Sequence, residues 1–174
     1  MSPIFDRFTA DLVATLKASG LAGLPHIAES LKPLLRDPEF AARAFADPTI
    51  RKRVLFHDEE TDAYVLAHIH EAGKRGRPHS HGASWAVYGN VMGVTDMTEW
   101  RRINPETEPH AVLEPSSHYR LGPGDSRAYP PYLIHSTAHP EDARVIRITG
   151  TDLDRIPRYG FDPANDRIVT PATS

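Results

Sequence analysis

Residues Gly73 to Gly93, GKRGRPHSHGASWAVYGNVMG, decide how the rest of the chain is read. At their centre stands His79-Ser80-His81, entered through a glycine-rich turn and followed by an apolar, aromatic run. Side chains of a strand alternate between its two faces, so histidines at i and i+2 point the same way. Two imidazoles side by side at a strand entrance are a common start of a metal site. By itself the pair is a weak signal, against which stands the reading of a polar strand end. The decision depends on whether the chain supplies a third ligand and a pocket.

The bulk properties set the frame. A chain of 174 residues is long enough for one domain with a real core. Its 40% hydrophobic and 25% charged content is that of an ordinary soluble globular protein. A net charge of −3 argues against nucleic acid or an anionic membrane as partner. No run of eighteen apolar residues is present, and MSPIFDRFTADL carries acids where a signal peptide would be basic, so a cytoplasmic location is expected. The absence of cysteine removes disulfides, thiolate ligands and a cysteine nucleophile, and fits a reducing compartment. Sixteen prolines point to a loop-rich second half, and the ten histidines matter only where spacing supports them.

Residues 3–19 place Ile4, Phe5, Phe8, Leu12, Val13 and Leu16 at helical spacing, with Pro3 at the first position and Gly20 as a stop. A second helix is expected over 24–35, with Pro33 as an interruption, and a third over 38–46 after Asp37. From Arg51 onward the pattern alternates. Strands are expected at 53–57, 63–70, 84–94, 98–103, 112–113, 117–121, 126–129, 136–137 and 143–149, separated by Gly/Pro turns. In the second of them Tyr64, Leu66, His68 and His70 share one face, and the two histidines read as structural; Gly89 suggests a bulge in the third. Many short strands with such turns predict a mainly β sandwich or barrel. The organisation expected is one domain over 1–174, with residues 1–48 a helical cover and 49–174 the barrel and tail.

The third ligand candidate lies in GDSRAYPPYLIH, which runs from Gly124 to His135. Here the chain resembles the cupin superfamily of small jelly-roll barrels. Gly73, His79, His81 and Gly93 fall in register with the first cupin motif, G(X)5HXH(X)3–4E(X)6G, although Trp85 or Ala86 stands where its glutamate would be. Gly124, Pro130 and His135 fit the second motif, G(X)5PXG(X)2H(X)3N, with Tyr132 for the glycine and His139 for the asparagine. The resemblance implies a cupin double-stranded β-helix with the N-terminal helices packed outside. It also implies a metal on His79, His81 and His135. Three neutral imidazoles without a carboxylate allow Fe(II), Zn, Ni or Mn, and such a site also occurs in hydrolytic zinc enzymes.

Within the cupins, the three-His pattern is similar to that of the thiol dioxygenases, meaning cysteine dioxygenase and the bacterial 3-mercaptopropionate dioxygenases. The likeness covers roughly residues 50 to 165. Arg53 keeps the interval to His79 that the substrate-carboxylate arginine of cysteine dioxygenase keeps to its first ligand. His81-Gly82-Ala83-Ser84-Trp85 looks like the HGTW run of the mercaptopropionate enzymes with one residue inserted, and Ile156 to Ala164 is similar to their RRHVFDPATG tail. That match puts Arg158 at the arginine holding their substrate's carboxylate. The Ser-His-Tyr relay of those enzymes is missing, because Val145, Arg147 and Thr149 occupy its positions. Tyr88, Tyr129 or His139 are the residues from which it could be rebuilt.

Arg53 and Arg158 could each pair bidentately with a carboxylate or form an ordinary salt bridge. Trp85 and Tyr88 could line an aromatic wall or pack in the core, and His139 stands behind the ligands or at the surface. Asp96, Glu99 and Glu114 read as solvated. The function expected is that of a non-haem Fe(II) dioxygenase whose partners are O2 and a small carboxylate-bearing substrate, a thiol included. The alternatives are a metal-dependent lyase, isomerase or hydrolase on a small acid or sugar, and a non-catalytic ligand-binding cupin. Pairing as a homodimer through sheet edges is compatible with the resemblance.

Overall fold

In the computed structural model, which describes residues 1–169, three helices precede eleven short strands. Helix α1 spans Pro3–Ser19, a 3-10 turn spans Gly20–Gly23, and α2 and α3 span Leu24–Leu35 and Pro38–Ala44. Helix α2 continues through Pro33, whose missing N–H falls in the last turn. Helix α3 begins on the Asp37 carboxylate, which accepts from the Phe40 N–H at 2.6 Å, and ends two residues earlier than its sequence suggests. No described helix is long and apolar enough to cross a membrane.

The strands in chain order are β1 (Lys52–His57), β2 (Tyr64–His70), β3 (His79–Ser80), β4 (Ala86–Met92), β5 (Thr95–Arg102), β6 (Leu113–Leu121), β7 (Ser126–Tyr129), β8 (Ile134–Ala138), β9 (Ala143–Thr149), β10 (Tyr159–Asp162) and β11 (Arg167–Val169). They form one sheet ordered β1-β2-β9-β4-β7 and a second ordered β11-β10-β3-β8-β5-β6, with every strand pairing antiparallel. Sequence neighbours repeatedly fall in opposite sheets, which is the winding of a double-stranded β-helix, the jelly-roll barrel expected with its helices outside. Strands β3, β10 and β11 have no alternation of their own to betray them. Each is made by pairing with a distant strand.

The two faces of the five-stranded sheet have different tasks. Its outer face presents Val65, Ala67, Val87, Ile146 and Ile148 to Leu12, Ile27, Leu31, Leu34 and Phe40 of the helices, and all of these are buried. Each such side chain contributes roughly 1.5–3 kcal/mol by leaving water. Gly89 belongs to this contact rather than to a bulge. A Cβ there would lie 2.6 Å from Leu35 and 2.9 Å from Leu31, so glycine lets α2 lie close on β4, and the register shift falls between Asn90 and Met92 instead. The inner face carries Leu66, His68 and His70 from β2, Tyr88 and Asn90 from β4, and Val145 and Arg147 from β9, as the cross-strand pairs His68–Val145, Leu66–Arg147 and Tyr88–Arg147 dictate.

Candidate metal centre

Strand β3 is only two residues long, but its pairing sets the centre, because His79 lies directly opposite His135 of β8. His81 follows the strand and enters a turn at Gly82, whose φ is +59°. A Cβ on Gly82 would meet the Pro157 carbonyl at 2.6 Å, so both the left-handed turn and the crossing tail require glycine. The Tyr132 N–H donates to the Gly82 carbonyl at 2.8 Å, which ties the turn before His135 to the turn after His81. The three rings stand 4.6 to 5.4 Å apart, and one nitrogen from each lies within 4.8 Å of the other two.

The same backbone device orients two of the ligands. Nδ1 of His79 is 2.9 Å from the Arg77 carbonyl, and Nδ1 of His135 is 3.3 Å from the Leu133 carbonyl, each two residues upstream. A carbonyl can only accept, so Nδ1 carries the proton in both rings and Nε2 keeps its lone pair. Nε2 of His135 is buried without any hydrogen-bond partner. Nε2 of His81 has the Tyr88 hydroxyl at 3.2 Å. Burial holds all three imidazoles below their ordinary pKa, to about 3 for His135, so they are neutral donors. Convergent, deprotonated and partly orphaned nitrogens are what a divalent first-row metal needs, and the residues fit one. They do not select among such metals.

The other sequence candidates divide. Tyr88 touches His81, and Tyr129 is buried with its ring 5.0 Å from His135 and 5.2 Å from Tyr88. The Tyr129 hydroxyl is 2.9 Å from that of Tyr119, which donates to Glu99 at 2.8 Å; burial pushes both phenols up. Glu99 is therefore not solvated: Tyr119 and Arg127 hold it, the latter at 3.0 Å. Arg158 is mostly buried, makes a 3.2 Å ion pair with Asp154, and lies near enough for its charge to lower the pKa of His79 and His81. His139 is buried, with Nδ1 3.3 Å from the Thr95 hydroxyl.

Two candidates lie elsewhere. Arg53 pairs with Ala67 and so faces the helices, where it donates to the Arg43 carbonyl at 3.2 Å; Lys52 and Val54 take the inward positions. Trp85 packs in the core under the helices and beside Gly150. The turn after His81 resets the strand phase, so Ala86 and Tyr88 face inward while Trp85 faces out. Conversely, His68, His70 and Arg147, read as structural or as substitutions of the relay, line the barrel cavity beside the centre. The alternation of β2 indicated the shared face of the histidines. Only the pairing of β2 with β9 shows that Arg147 lies there too.

No family model and no curated protein matches the chain. Solved structures similar to it include KdgF from Halomonas sp., 20% identical with a TM-score of 0.45, covering 63% of this chain and 88% of that one. A cupin superfamily protein from Desulfitobacterium hafniense is 14% identical, with a TM-score of 0.43 over 58% of this chain and 76% of its own. The cupin domain of Cnp3 from Schizosaccharomyces pombe is 13% identical, with a TM-score of 0.46 over 60% and 66%. The jelly-roll layout of this chain rests on its own strand order.

Proposed function

We propose that the chain is a metal-dependent enzyme, a non-haem Fe(II) dioxygenase that takes a small carboxylate-bearing substrate at the centre formed by His79, His81 and His135. The observation that carries this reading is the convergence of three neutral imidazole nitrogens, one of them orphaned, beside an internal cavity. Iron held there supplies open coordination positions and redox capacity toward dioxygen. The neutral donors leave its charge unquenched and so favour an anionic substrate. Arg158, drawn toward the histidines by the tail, adds a positive charge that steers the anion toward the centre. The Tyr88 hydroxyl, already at the ligand cluster, holds or delivers the proton that the Ser-His-Tyr relay would otherwise manage. Tyr129 and His139 close the wall and keep water out.

Metal analysis of the purified protein, followed by oxygen-uptake measurements on iron-loaded protein with thiol and hydroxy acids, tests the reading. Stoichiometric iron with substrate-dependent uptake is expected. Zinc alone, with no uptake for any acid, overturns it. A Lewis-acid lyase, isomerase or hydrolase is the second reading, and Arg147 in place of the relay histidine is what favours it. Turnover of an acid without oxygen consumption would establish that alternative.

A further inference from the structure

Beside the three-His centre the barrel holds a chamber, with about 80 Å³ open to the centre of a water-sized sphere, that shares His79 and Tyr88 with it. On that measure one water takes about 10–15 Å³, so the chamber has room for a small molecule of a few heavy atoms. Three cations line the chamber, Lys74, Arg77 and Arg147, and no carboxylate does. Lys74 and Arg77 are exposed at the rim, whereas Arg147 is only 7% exposed. Nε of Arg147 is buried without a hydrogen-bond partner, and among the described residues no acid lies within ion-pair distance of its guanidinium. On its other side Arg147 borders a second cavity of similar size, lined among others by Asp152 and Asp154. Asp154 feels its charge but is already held by Lys52 at 2.9 Å and Arg158 at 3.2 Å.

His68 and His70 line the same chamber, and Nε2 of His68 and Nδ1 of His70 are buried without a hydrogen-bond partner. These rings do not form a second metal site. His70 stacks on His139 at 4.0 Å and 7°, and on His68 at 5.9 Å and 3°, so their nitrogens lie side by side instead of converging, with a guanidinium near them. Burial first, and for His68 the Arg147 charge next, keep His68 and His70 neutral, His70 with a pKa of about 3. An open nitrogen of a neutral imidazole is either an N–H donor or a lone-pair acceptor, and a hydroxyl can satisfy both cases.

We infer that the chamber binds a small hydroxy acid, with Arg147 taking the carboxylate and the imidazoles of His68 and His70 that line the chamber taking the hydroxyl. This deepens the proposed function and rests on it for the acid being the substrate, since the chamber shares His79 and Tyr88 with the metal centre. Binding itself requires only the chamber. Arg147 then has a ligand as its missing counter-ion, and the site discriminates by charge at one end and by hydrogen bonding at the other.

Calorimetric titration of the full chain, metal-free and iron-loaded, with 3-hydroxybutyrate, lactate, butyrate and butyramide tests the inference. A hydroxy acid should bind tightest, butyrate at least fivefold weaker, and butyramide not measurably. Arg147→Met should lower the affinity for the acids at least tenfold and raise Tm, because it removes a buried, unpartnered charge. His70→Leu should bring the hydroxy acid down to the level of butyrate. Loss of Tm in Arg147→Met with acid affinity unchanged would make the arginine structural and overturn the inference, as would equal binding of butyrate and butyramide. Should the variant not fold, the Nε–H resonance of Arg147 in the unaltered protein decides: it must shift on addition of 3-hydroxybutyrate. Acid binding that persists in a preparation taking up no metal would remove the metal reading and leave the chamber standing.

Discussion

The barrel interior holds two histidine trios that differ in one respect with large consequences. His79, His81 and His135 stand tilted or edge-on to one another, with interplanar angles from 39° to 87°, and their nitrogens converge. His68, His70 and His139 are stacked nearly parallel, at 3° and 7°, and their nitrogens do not. Both sets are buried and neutral. The difference is what holds the rings. Upstream carbonyls fix Nδ1 of His79 and His135, so Nε2 is delivered to a common point. The stacked trio is ordered by ring contact and by the Thr95 hydroxyl, which leaves its edges to the cavity. Residue type alone does not make a metal site; the direction of the lone pairs does.

The sharpest way to break this distinction is to remove one ring from each set. His135→Ala should abolish stoichiometric metal binding, a loss of at least 10³-fold in affinity, because two imidazoles cannot hold the metal that three were arranged for. His70→Ala should leave metal affinity within about threefold, since convergence at the other trio is untouched. Metal titration of the two variants side by side reads both effects. Equal losses would mean that the two trios act as one site.

Tyr88 sits between the two sets, touching His81 on one side and lining the chamber on the other. Tyr88→Phe should lower turnover by about 10²-fold, the usual worth of a positioned proton carrier, while changing metal affinity only a few-fold. A matching loss of metal would assign the hydroxyl to ligand support instead. Comparing turnover with metal occupancy in the same preparation separates the two.

Acid gives a third and smaller contrast. Burial lowers the pKa of His70 from 6.5 to about 3. In the unfolded chain this ring takes up a proton below pH 6.5, whereas in the folded protein it does not until about pH 3. Stability contributed by the neutral ring is thus intact above pH 6.5 and declines as pH falls through that window, by about 1.4 kcal/mol per pH unit for each such histidine. His70→Leu should flatten the pH dependence of metal-free stability by roughly one proton between pH 6 and 4. Urea unfolding at several pH values measures it, and an unchanged slope would show that His70 is already protonated in the fold.

How much of this was legible beforehand follows from the same geometry. His79, His81 and His135 could be read because their spacing, with Gly73, Gly93, Gly124 and Pro130, is local to two turns. The helices could be read because their apolar stripes are strong, and the barrel because its strands alternate. Arg53 and Trp85 stayed undecided between site and framework because counting residues does not preserve strand phase across a turn, and a slip of one residue exchanges the two faces. Arg147 was seen only as a missing relay histidine. Its importance comes from what it lacks, a counter-ion, and no single stretch of sequence records that.

The smallest effect concerns the backbone that carries the converging set. Tyr132 stands at the glycine position of the second motif, and its φ of +64° is the left-handed conformation that glycine favours. The turn holds this shape without a glycine, and in it the Tyr132 N–H reaches the Gly82 carbonyl at 2.8 Å. A side chain in that region costs about 1–2 kcal/mol. Glycine would remove this strain but return about 0.4–1 kcal/mol of unfolded-chain freedom. Tyr132→Gly should therefore stabilise the protein by about 1.6 kcal/mol at most and leave metal affinity unchanged, since neither His135 nor its carbonyl partner moves. The side chain itself is 66% exposed and offers little packing to lose. A substantial loss of metal affinity in this variant would mean that the tyrosine, and not merely the turn, positions the third ligand.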